Sequence, residues 1–463
     1  MNKKYVLPIL ILAILVPVSG TAGSASAAEV KTLTLEKAIE IALEANINIK
    51  QAANQVTLGK ISVNRNKANF LPDLGVSAQS SKRYTKEYDA VTGKYTNQDS
   101  GSLSLGASST FNIFNGFYDT ASLQQSRLEL YAAGEDAVRT RQTIIFQTIQ
   151  DYILVITARE MIRVEKENFE AQRLLLTQIE DFYKSGKRPI TDFYLQSAQI
   201  SNAEYQLLNA ERDYDVSKLQ LMQIMGLQPN DNYEVEDPGI DNLVSNVVQF
   251  QQDAADTALS EALAKRPDLK AQESLIEAAR FGIKAARSGY WPKLSLSASY
   301  GTSYSDQVNY LNFSDQLFKS NPSGAIGLSL TIPVFDKSKT RYSVAAADIS
   351  LKNQQLELEK LHQQVSLEIQ QAIRDSRTAA KQMDVSERQL KYSKDALDSM
   401  QERYNVNAAT MVELTQTRAQ YMQSIYNHIQ AKFNLLIRGI AVAFYKGDYN
   451  AMISRLEKKL ENK

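Results

Sequence analysis

Four short segments of the chain alternate between apolar residues and small polar residues. The first pair spans residues 73–81 and 102–111, and residues 294–301 and 326–332 repeat the pattern. A period of two predicts β-strands that have one apolar face and one polar face. The polar face carries Ser, Gly and Thr, with few charges. This composition favours a sheet that turns one face to lipid and the other to water over a soluble sandwich.

Two much longer stretches carry a helical pattern. Residues 116–185 contain no proline and a single internal glycine, Gly134, and residues 337–407 contain neither. Apolar residues recur there at steps of three and four, which is the spacing of a coiled-coil seam. As continuous helix, about 70 residues extend for about 105 Å. Such helices need partners along their length, and the small surrounding residues favour a helical sheet or barrel.

Each long helix is followed by a turn and a shorter helix. The turns occupy residues 183–192 and 404–413, and the returning helices extend over residues 191–226 and 411–445. Gly186 and Asn407 suit the left-handed conformation that ends a helix, and Pro189 suits a helix start. A further helix over residues 35–69 precedes the first strand. The returning helix is about half as long as the long helix, and this further helix supplies the other half of the length. Polar, Tyr-rich loops are predicted at residues 84–97 and 304–321.

This order of elements occurs twice. Pro72 recurs as Pro292 at an offset of 220, and Tyr183 recurs as Tyr404 at an offset of 221. A near-constant offset over about 190 residues indicates an internal duplication. We therefore predict five regions: a signal peptide (1–28), a first repeat (29–226), a linker (227–257), a second repeat (258–447) and a polar tail (448–463).

The N-terminus has the layout of a secretory signal peptide. Lys3 and Lys4 precede an apolar run over residues 5–18, and Ala25-Ser26-Ala27 supplies the small residues of a cleavage site. Cleavage is expected after Ala27 or Ala28. The chain is therefore predicted to be exported.

Composition excludes several classes of function. The 463 residues include no cysteine and two histidines, His362 and His428, which excludes thiolate sites and a His-rich metal centre. Lys+Arg and Asp+Glu balance at 52 each, so a basic nucleic-acid binder is not favoured. No nucleophile–base pair, phosphate loop or metal set is present. We expect neither an enzyme nor a bound cofactor.

Several short motifs resemble those of the outer-membrane efflux protein family. They are LTLEKAI at 33–39, NFLP at 69–72 with its echo GYWP at 289–292, FNIFNG at 111–116 with its echo LTIPVFD at 330–336, the two tip turns, and LMQIMGL at 221–227. Each motif alone is modest, but their duplicated order covers nearly the whole mature chain. Pro72, Pro292 and Pro333 are predicted to mark junctions between helices and strands.

The resemblance implies a mainly α-helical fold with a small β part. Four strands per chain would contribute to a trimeric, twelve-stranded transmembrane β-barrel, and the antiparallel helices would form a long periplasmic tunnel. The partners implied are two further copies of the chain, outer-membrane lipid, a periplasmic adaptor (membrane fusion) protein and an inner-membrane pump of RND, ABC or similar type. The chain would be a passive exit duct in the outer membrane of a Gram-negative-type cell. The cargo, whether drugs, metal ions or polypeptides, stays open, as does the alternative of a soluble exported coiled-coil scaffold.

The resemblance also assigns roles at the tip turns. Threefold symmetry would place copies of Asp192 and Glu413 in rings of carboxylates that select cations and constrict the pore. The alternative, compatible with the first, is that both acids stabilise the positive end of a helix. Asn407 replaces the family's usual glycine, and Gln416 stands where a second acid would help close the pore. The residues expected to dock the adaptor are Gly186, Lys187, Arg188, Asn407, Ala408 and Ala409, unless they serve only as turn formers.

Overall fold

A computed structural model describes residues 31–91, 93–229, 233–237 and 255–448. The predicted signal peptide, nearly all of the tail and most of the linker lie outside these residues. The first helices are α1 (Leu35–Ala45), α2 (Ile47–Ala68), α3 (Tyr118–Lys184) and α4 (Ile190–Ile224). The later helices are α5 (Ala255–Lys265), α6 (Pro267–Arg287), α7 (Lys339–Asn405) and α8 (Met411–Tyr445). The strands are β1 (Lys31–Leu33), β2 (Gly75–Asp89), β3 (Lys94–Asn115), β4 (Tyr233–Val235), β5 (Lys293–Ser305) and β6 (Ser323–Thr331).

The long helical hairpins confirm the predicted repeat. Helices α3 and α7 have 67 residues each, and α4 and α8 have 35 each. In both pairs the second helix follows the first at an offset of 221. At 1.5 Å per residue the longer helices extend for about 100 Å and the shorter ones for about half of that. Among the described residues, none of the helices is both long and apolar enough to cross a bilayer.

The prediction of one helix over residues 35–69 is wrong, because that helix breaks at Asn46. The Asn46 side chain accepts hydrogen bonds from the backbone N–H groups of Asn48 (2.8 Å) and Ile49 (3.3 Å), so it caps the start of α2. Its amide also donates to the Ile224 carbonyl at 2.7 Å, at the end of α4. Gly226 (φ 70°) lets the chain leave α4 close to the end of α1. The break therefore stacks α2 end to end on α4.

The second repeat has a charged junction at the equivalent position. Arg266, only 2% exposed, lies just before α6 and forms ion pairs with Asp268 (2.5 Å) and Glu368 of α7 (2.6 Å). Arg139 of α3 approaches Asp268 to 3.7 Å. Burial disfavours the charged carboxylate, yet the Arg266 guanidinium holds the pKa of Asp268 below its usual value. Gly447 (φ 73°) ends α8 beside Arg266 and completes the junction between α8 and α6.

The four long strands form one antiparallel sheet in the order β2-β3-β5-β6. Residues paired across neighbouring strands lie on the same face of the sheet, and their types match the two predicted faces. Ala107 pairs with Val76 and Tyr300 in one row, and the adjacent Gly106 pairs with Ser77 and Gly301. One face is therefore apolar and aromatic, and the other is lined by hydroxyl groups and glycine.

Two predictions for the segments around the sheet need correction. Most of the predicted loop 84–97 is an extension of the β2–β3 hairpin, in which Tyr88 pairs with Tyr95 at a ring distance of 5.2 Å. The predicted loop 304–321 contains helical turns, and Gln316 is buried there. The Ser305 N–H donates to the side-chain oxygen of Gln316, and the side-chain nitrogen of Gln316 donates to the Ser305 carbonyl. Ser305 is the last residue of β5 and lies beyond the part of β5 that pairs with β6. In both segments, backbone N–H and carbonyl groups form hydrogen bonds with other protein groups, whereas in a solvated loop they would bond to water.

The helices form a layer in which α3 has neighbours on both sides. Helices α2 and α4 pack on one side of α3, and α6 and α8 pack on the other side and separate it from α7. The largest apolar cluster lies at mid-height, between α1, α3, α8 and the small parallel pair of β1 and β4. There the buried Tyr152 hydroxyl donates to the Leu33 carbonyl at 2.8 Å, which joins the N-terminal strand to α3.

The junction of α2 and α4 generates a stability prediction. Asn46→Ala removes the cap of α2 and the bond to the Ile224 carbonyl, and we expect it to lower the free energy of unfolding by about 1–3 kcal/mol. Urea unfolding of the detergent-solubilised protein, followed by circular dichroism, measures the change. Asn54→Ala, at an exposed position within α2, is the matched control and should be neutral or slightly stabilising. Equal effects of the two substitutions would contradict a role of Asn46 in the junction.

Candidate functional site

The two hairpin tips end in the same backbone turn. At the first tip, Gly186 has φ 72°, and the Lys187 N–H donates to the Phe182 carbonyl at 2.8 Å. At the second tip, Asn407 has φ 62°, and the Ala408 N–H donates to the Arg403 carbonyl at 2.7 Å. Both are the left-handed turn that commonly ends a helix. Asn407 therefore takes the conformation for which glycine is the usual residue.

Asp192 lies at the start of α4 and is only 8% exposed in the single chain. It accepts a hydrogen bond from the Tyr404 hydroxyl at 3.3 Å, and an Arg188 nitrogen lies 3.9 Å from the same carboxylate oxygen. Arg188 also donates to the Tyr404 carbonyl at 2.5 Å, with its guanidinium 4.0 Å from the centroid of the tyrosine ring. These three residues, called the tip cluster below, join the end of α7 to the start of α4.

The tip cluster gives Arg188 and Asp192 contacts that sequence spacing did not predict. Burial raises the pKa of Tyr404 to about 12, so its hydroxyl remains a donor at neutral pH. Tyr404 was visible in the sequence only as the echo of Tyr183. Its two partners lie more than 200 residues away, and no local pattern identifies them.

Glu413 has a different environment. It is exposed at the start of α8, where its carboxylate accepts from the Thr410 N–H (2.7 Å) and hydroxyl (2.9 Å). The Glu413 N–H donates to the Thr410 hydroxyl, which completes a capping box. These bonds from Thr410 lower the pKa of Glu413, so the carboxylate keeps its charge to lower pH. Glu413 thus caps the start of α8, and its exposed carboxylate leaves a pore role compatible with this capping.

An apolar cluster supports the tips from within. Its members come from α3, α7, α8 and the second turn: Leu175, Ile179, Tyr404, Ala409, Met411 and Leu414. Ala409, expected on the docking surface, is therefore buried inside the tip. Lys187 and Ala408 are exposed, and the position of a Cβ on Gly186 would meet no atom within 4 Å. Of the residues predicted to dock an adaptor, Ala409 is therefore not accessible in the single chain.

Polar contacts continue along α3 and α8 away from the tips. Gln172 of α3 accepts from Arg418 of α8 at 3.2 Å and from Gln196 of α4 at 2.8 Å. Farther along, the Tyr426 hydroxyl donates to the buried carboxylate of Glu165. Burial lowers the pKa of Arg418 and raises that of Tyr426. These residues were not recognised from the sequence, where the apolar seam of α3 weakens between positions 159 and 167.

The other residues singled out in the sequence lie apart from the tips. Pro72 lies between α2 and β2, Pro292 immediately before β5, and Pro333 two residues after the end of β6. His428 lies within α8, with its ring 3.4 Å from the Ser386 hydroxyl. The described part of the chain contains no group of three or more metal-ligating side chains.

Comparison with known proteins identifies relatives. The model of the outer membrane efflux protein family matches residues 38–227 and again residues 258–447. Outer membrane protein TolC of Escherichia coli (strain K12) is 25% identical over 398 residues, covering 84% of this chain and 77% of that protein. Pyoverdine export outer membrane protein OpmQ of Pseudomonas aeruginosa is 24% identical over 363 residues, covering 76% and 72%. The crystal structure of the Campylobacter jejuni CmeC outer membrane channel has the same fold, with a TM-score of 0.75 at 16% identity over 94% of both chains.

The tip cluster generates a prediction about local opening. Tyr404→Phe removes the hydroxyl that donates to Asp192, and we expect the free energy of opening the tip to fall by about 1 kcal/mol. That change corresponds to roughly fivefold faster hydrogen exchange of the amides around both turns. Exchange followed by mass spectrometry measures the effect. Tyr392→Phe, at an exposed tyrosine of the same helix, is the control; unchanged exchange in Tyr404→Phe would show that the hydroxyl does not hold the tip together.

Proposed function

The chain belongs to the outer membrane efflux protein family, and from this premise we propose that it is the outer-membrane exit duct of a tripartite efflux or type I secretion system. It is a passive trimeric channel in the outer membrane of a Gram-negative-type cell, with a long periplasmic tunnel. It carries out no chemical reaction, because the energy for transport comes from an inner-membrane pump.

The two faces of the sheet carry this proposal. Along its apolar face, Leu294 pairs with Leu330 and Leu296 pairs with Leu328. Leu328 and Leu330 are 65% and 61% exposed in the single chain. The hydroxyl face consists of rows such as Ser295 with Ser329. Lipid covers the first face and water in the lumen solvates the second, which is the alternation of a membrane barrel.

The aromatic residues at both ends of the sheet fit the same placement. Tyr300, Tyr304 and Phe313 lie toward the loop end of β5, and Phe117 and Trp291 contact each other near its helical end. The 13 residues of β5 extend for about 43 Å, and a tilt of 35–45° reduces the height to roughly 30–35 Å. This height suits an apolar band with aromatic residues near both membrane surfaces.

One chain cannot close the barrel. Strands β2 and β6 are the two edges of the four-stranded sheet, and each leaves one row of backbone groups unpaired within the chain. In lipid such edges are too costly to remain open. Three copies, with β6 of one copy paired to β2 of the next, give twelve strands without an edge.

The helical hairpins then enclose the tunnel below the barrel, and the tip turns form its narrow entrance. The partners at this entrance are a periplasmic adaptor protein and, through it, an inner-membrane pump. In the trimer, three copies of Glu413 and of Asp192 lie at or near the constriction, with Glu413 exposed and Asp192 held in the tip cluster of its own chain. The cargo, whether drugs, metal ions or polypeptides, is what the pump delivers to this entrance.

The competing proposal is a soluble exported scaffold built on coiled coils. Purified protein added to a planar lipid bilayer discriminates between the two. A duct inserts, conducts ions and needs detergent for extraction from membranes. A detergent-independent monomer that conducts no ions would refute the duct.

The paired tip acids generate a prediction about conductance. Asp192→Ala combined with Glu413→Ala removes two carboxylates per chain and the contacts of the tip cluster. We expect a severalfold higher single-channel conductance and a reduced preference for cations, because the entrance loses negative charge and the contacts of the tip cluster no longer hold it closed. Single-channel recording in bilayers measures both quantities. Asp395→Ala, which removes an exposed carboxylate of α7 away from the tip, is the control; unchanged traces in the double variant would remove the constriction assignment.

Adaptor docking generates a second prediction. A photo-crosslinking residue at the exposed Lys187 or Ala408 should capture the adaptor in cells, because both positions lie at the apex of a turn. Positions halfway along α3 and α7 serve as controls. Capture confined to the mid-helix positions would reject docking at the tips.

A further inference from the structure

A groove runs along one face of α3, between α2 and α6. It has a volume of about 860 Å³, and α3 supplies most of its lining. The floor is apolar, because Ala132 and Ile144 are only 1% and 2% exposed. The walls carry carboxylate, hydroxyl and amide groups, which belong to Asp136, Thr140, Thr143 and Gln147 of α3 and to Gln51 and Gln55 of α2. The groove therefore offers polar partners around an apolar base.

The internal repeat shows why this groove is open. In the second repeat, the Gln272 side chain of α6 donates to the backbone carbonyl and to the side-chain oxygen of Gln354 on α7, both at 2.9 Å. The counterparts of these glutamines, at offsets of 220 and 221, are Ala52 and Ala133. Two methyl groups thus stand in place of two long amide side chains. The bridge between the helices is absent in the first repeat, and the space that it would fill is free.

Asp136 places a carboxylate without a cationic partner in this groove. In the second repeat, its counterpart Glu357 pairs with Lys360 at 3.0 Å. The counterpart of Lys360 is Arg139, which turns instead toward Asp268 of α6 at 3.7 Å. Within the described part of the chain, Asp136 has no ion pair of its own.

The electrostatic surroundings of Asp136 favour a bound cation. Partial burial raises the pKa of Asp136, and the negative charges of Asp268 and Glu135 raise it further. The charged carboxylate is therefore less stable here than in water, and a cation beside it would restore its stability. Glu129 also lines the groove and accepts a hydrogen bond from Gln125 at 2.8 Å, so it adds a second negative charge.

We propose that the groove binds an organic cation, with an amine of the ligand beside Asp136 and its apolar body on the floor of Ala132 and Ile144. A metal ion is a poorer fit, because the described residues include no group of three or more metal-ligating side chains. The groove faces the lumen of the tunnel and holds a cationic solute in transit, and this part of the inference rests on the proposed duct.

The geometry of α3 gives the lumen placement. The Tyr152 hydroxyl donates to the Leu33 carbonyl of β1, so this side of α3 carries the mid-height elements. Thr143 lies nine residues before Tyr152, about two and a half helical turns, and therefore leaves α3 on the opposite side. Asp136, seven residues before Thr143, shares that side. In a tunnel the mid-height elements lie outside, because inside they would block the passage, so the groove opens to the water in the lumen.

Two variants test the site through binding. The probe is dansylcadaverine, which joins a primary amine to an aromatic group, and the uncharged dansylamide is the control ligand. Asp136→Asn removes the charge at constant size, and we expect about tenfold weaker binding of dansylcadaverine and unchanged binding of dansylamide. Ala52→Gln with Ala133→Gln rebuilds the bridge of the second repeat and should weaken dansylcadaverine binding similarly while Asp136 keeps its charge. Calorimetric titration of the purified full-length protein in lipid nanodiscs measures both effects.

Glu357→Gln is the matched control. It removes a carboxylate at the same position of the repeat, so a general effect of negative charge in the lumen would weaken binding in Glu357→Gln and in Asp136→Asn alike. At physiological ionic strength screening acts over about 8 Å, and we expect Glu357→Gln to bind the probe within about twofold of the unsubstituted protein.

A labelling arm tests the side on which the groove opens. The chain has no cysteine, so Thr143→Cys places a single thiol in the groove. Reaction with a bulky methanethiosulfonate reagent during single-channel recording should lower the conductance, because the label projects into the lumen. The unsubstituted protein, which has no thiol, is the control and should not respond.

The outcomes separate this inference from the proposed function. Weaker binding in Asp136→Asn and in the filled variant, with Glu357→Gln unaffected, supports the site. If the unsubstituted protein conducts ions but does not bind dansylcadaverine, or if Asp136→Asn binds it as well as Glu357→Gln does, the cation site is overturned and the duct stands. Unchanged conductance after labelling at position 143 overturns the lumen placement. If the unsubstituted protein forms no channel, the duct and the lumen placement fall, and the titrations still decide the cation site.

Discussion

A helix of about 100 Å is stable in water only if neighbours cover its apolar side along the whole length, and this requirement organises the molecule. Neither repeat contains a second helix of that length. Each repeat instead stacks two shorter helices end to end, α4 with α2 and α8 with α6. The stacking leaves helix ends facing each other in the interior, where unpaired carbonyl and N–H groups are costly. Asn46 and Arg266 meet that cost with buried polar side chains, while Gly226 and Gly447 turn the backbone out of the joint.

The two junctions use different chemistry because their surroundings differ. The junction at Asn46 lies at the edge of the layer, where one neutral amide bonds to both helix ends. The junction at Arg266 lies between α3 and α7, and charged groups from both helices converge on it. Arg266 and Arg139 are balanced there by Asp268 and Glu368. Removing one partner of this set would leave a buried charge unpaired, so the junction at Arg266 is sensitive to single substitutions of its charged residues.

The sequence predicted the architecture well where the signal is local. Helices α3 and α7 follow from the absence of proline and glycine, and their ends follow from turn residues at Gly186 and Asn407. The two faces of the sheet follow from simple alternation. The break at Asn46 was missed because a lone Asn inside a helical run carries no distinctive signal. The partners of Asp192 were missed because their proximity depends on how two hairpins pack, which spacing along the chain does not encode. The strand ends were underestimated because pairs such as Tyr88 and Tyr95 extend the ladder into a segment whose composition is typical of loops.

Duplication explains why equivalent residues end in unequal environments. Helices α8 and α3 pack against each other within the chain, whereas their counterparts α4 and α7 lie at opposite edges of the helical layer. Tyr426 and Tyr205 occupy the same position of the repeat, yet the Tyr426 hydroxyl donates to the buried carboxylate of Glu165 whereas Tyr205 is exposed. The tip acids diverge in the same way, since Asp192 is buried against Tyr404 whereas Glu413 is exposed and bonded to its own cap. Within one chain the two repeats are therefore equal in fold and unequal in surroundings, because α3 has helical neighbours on both sides whereas α7 lies at the edge of the layer.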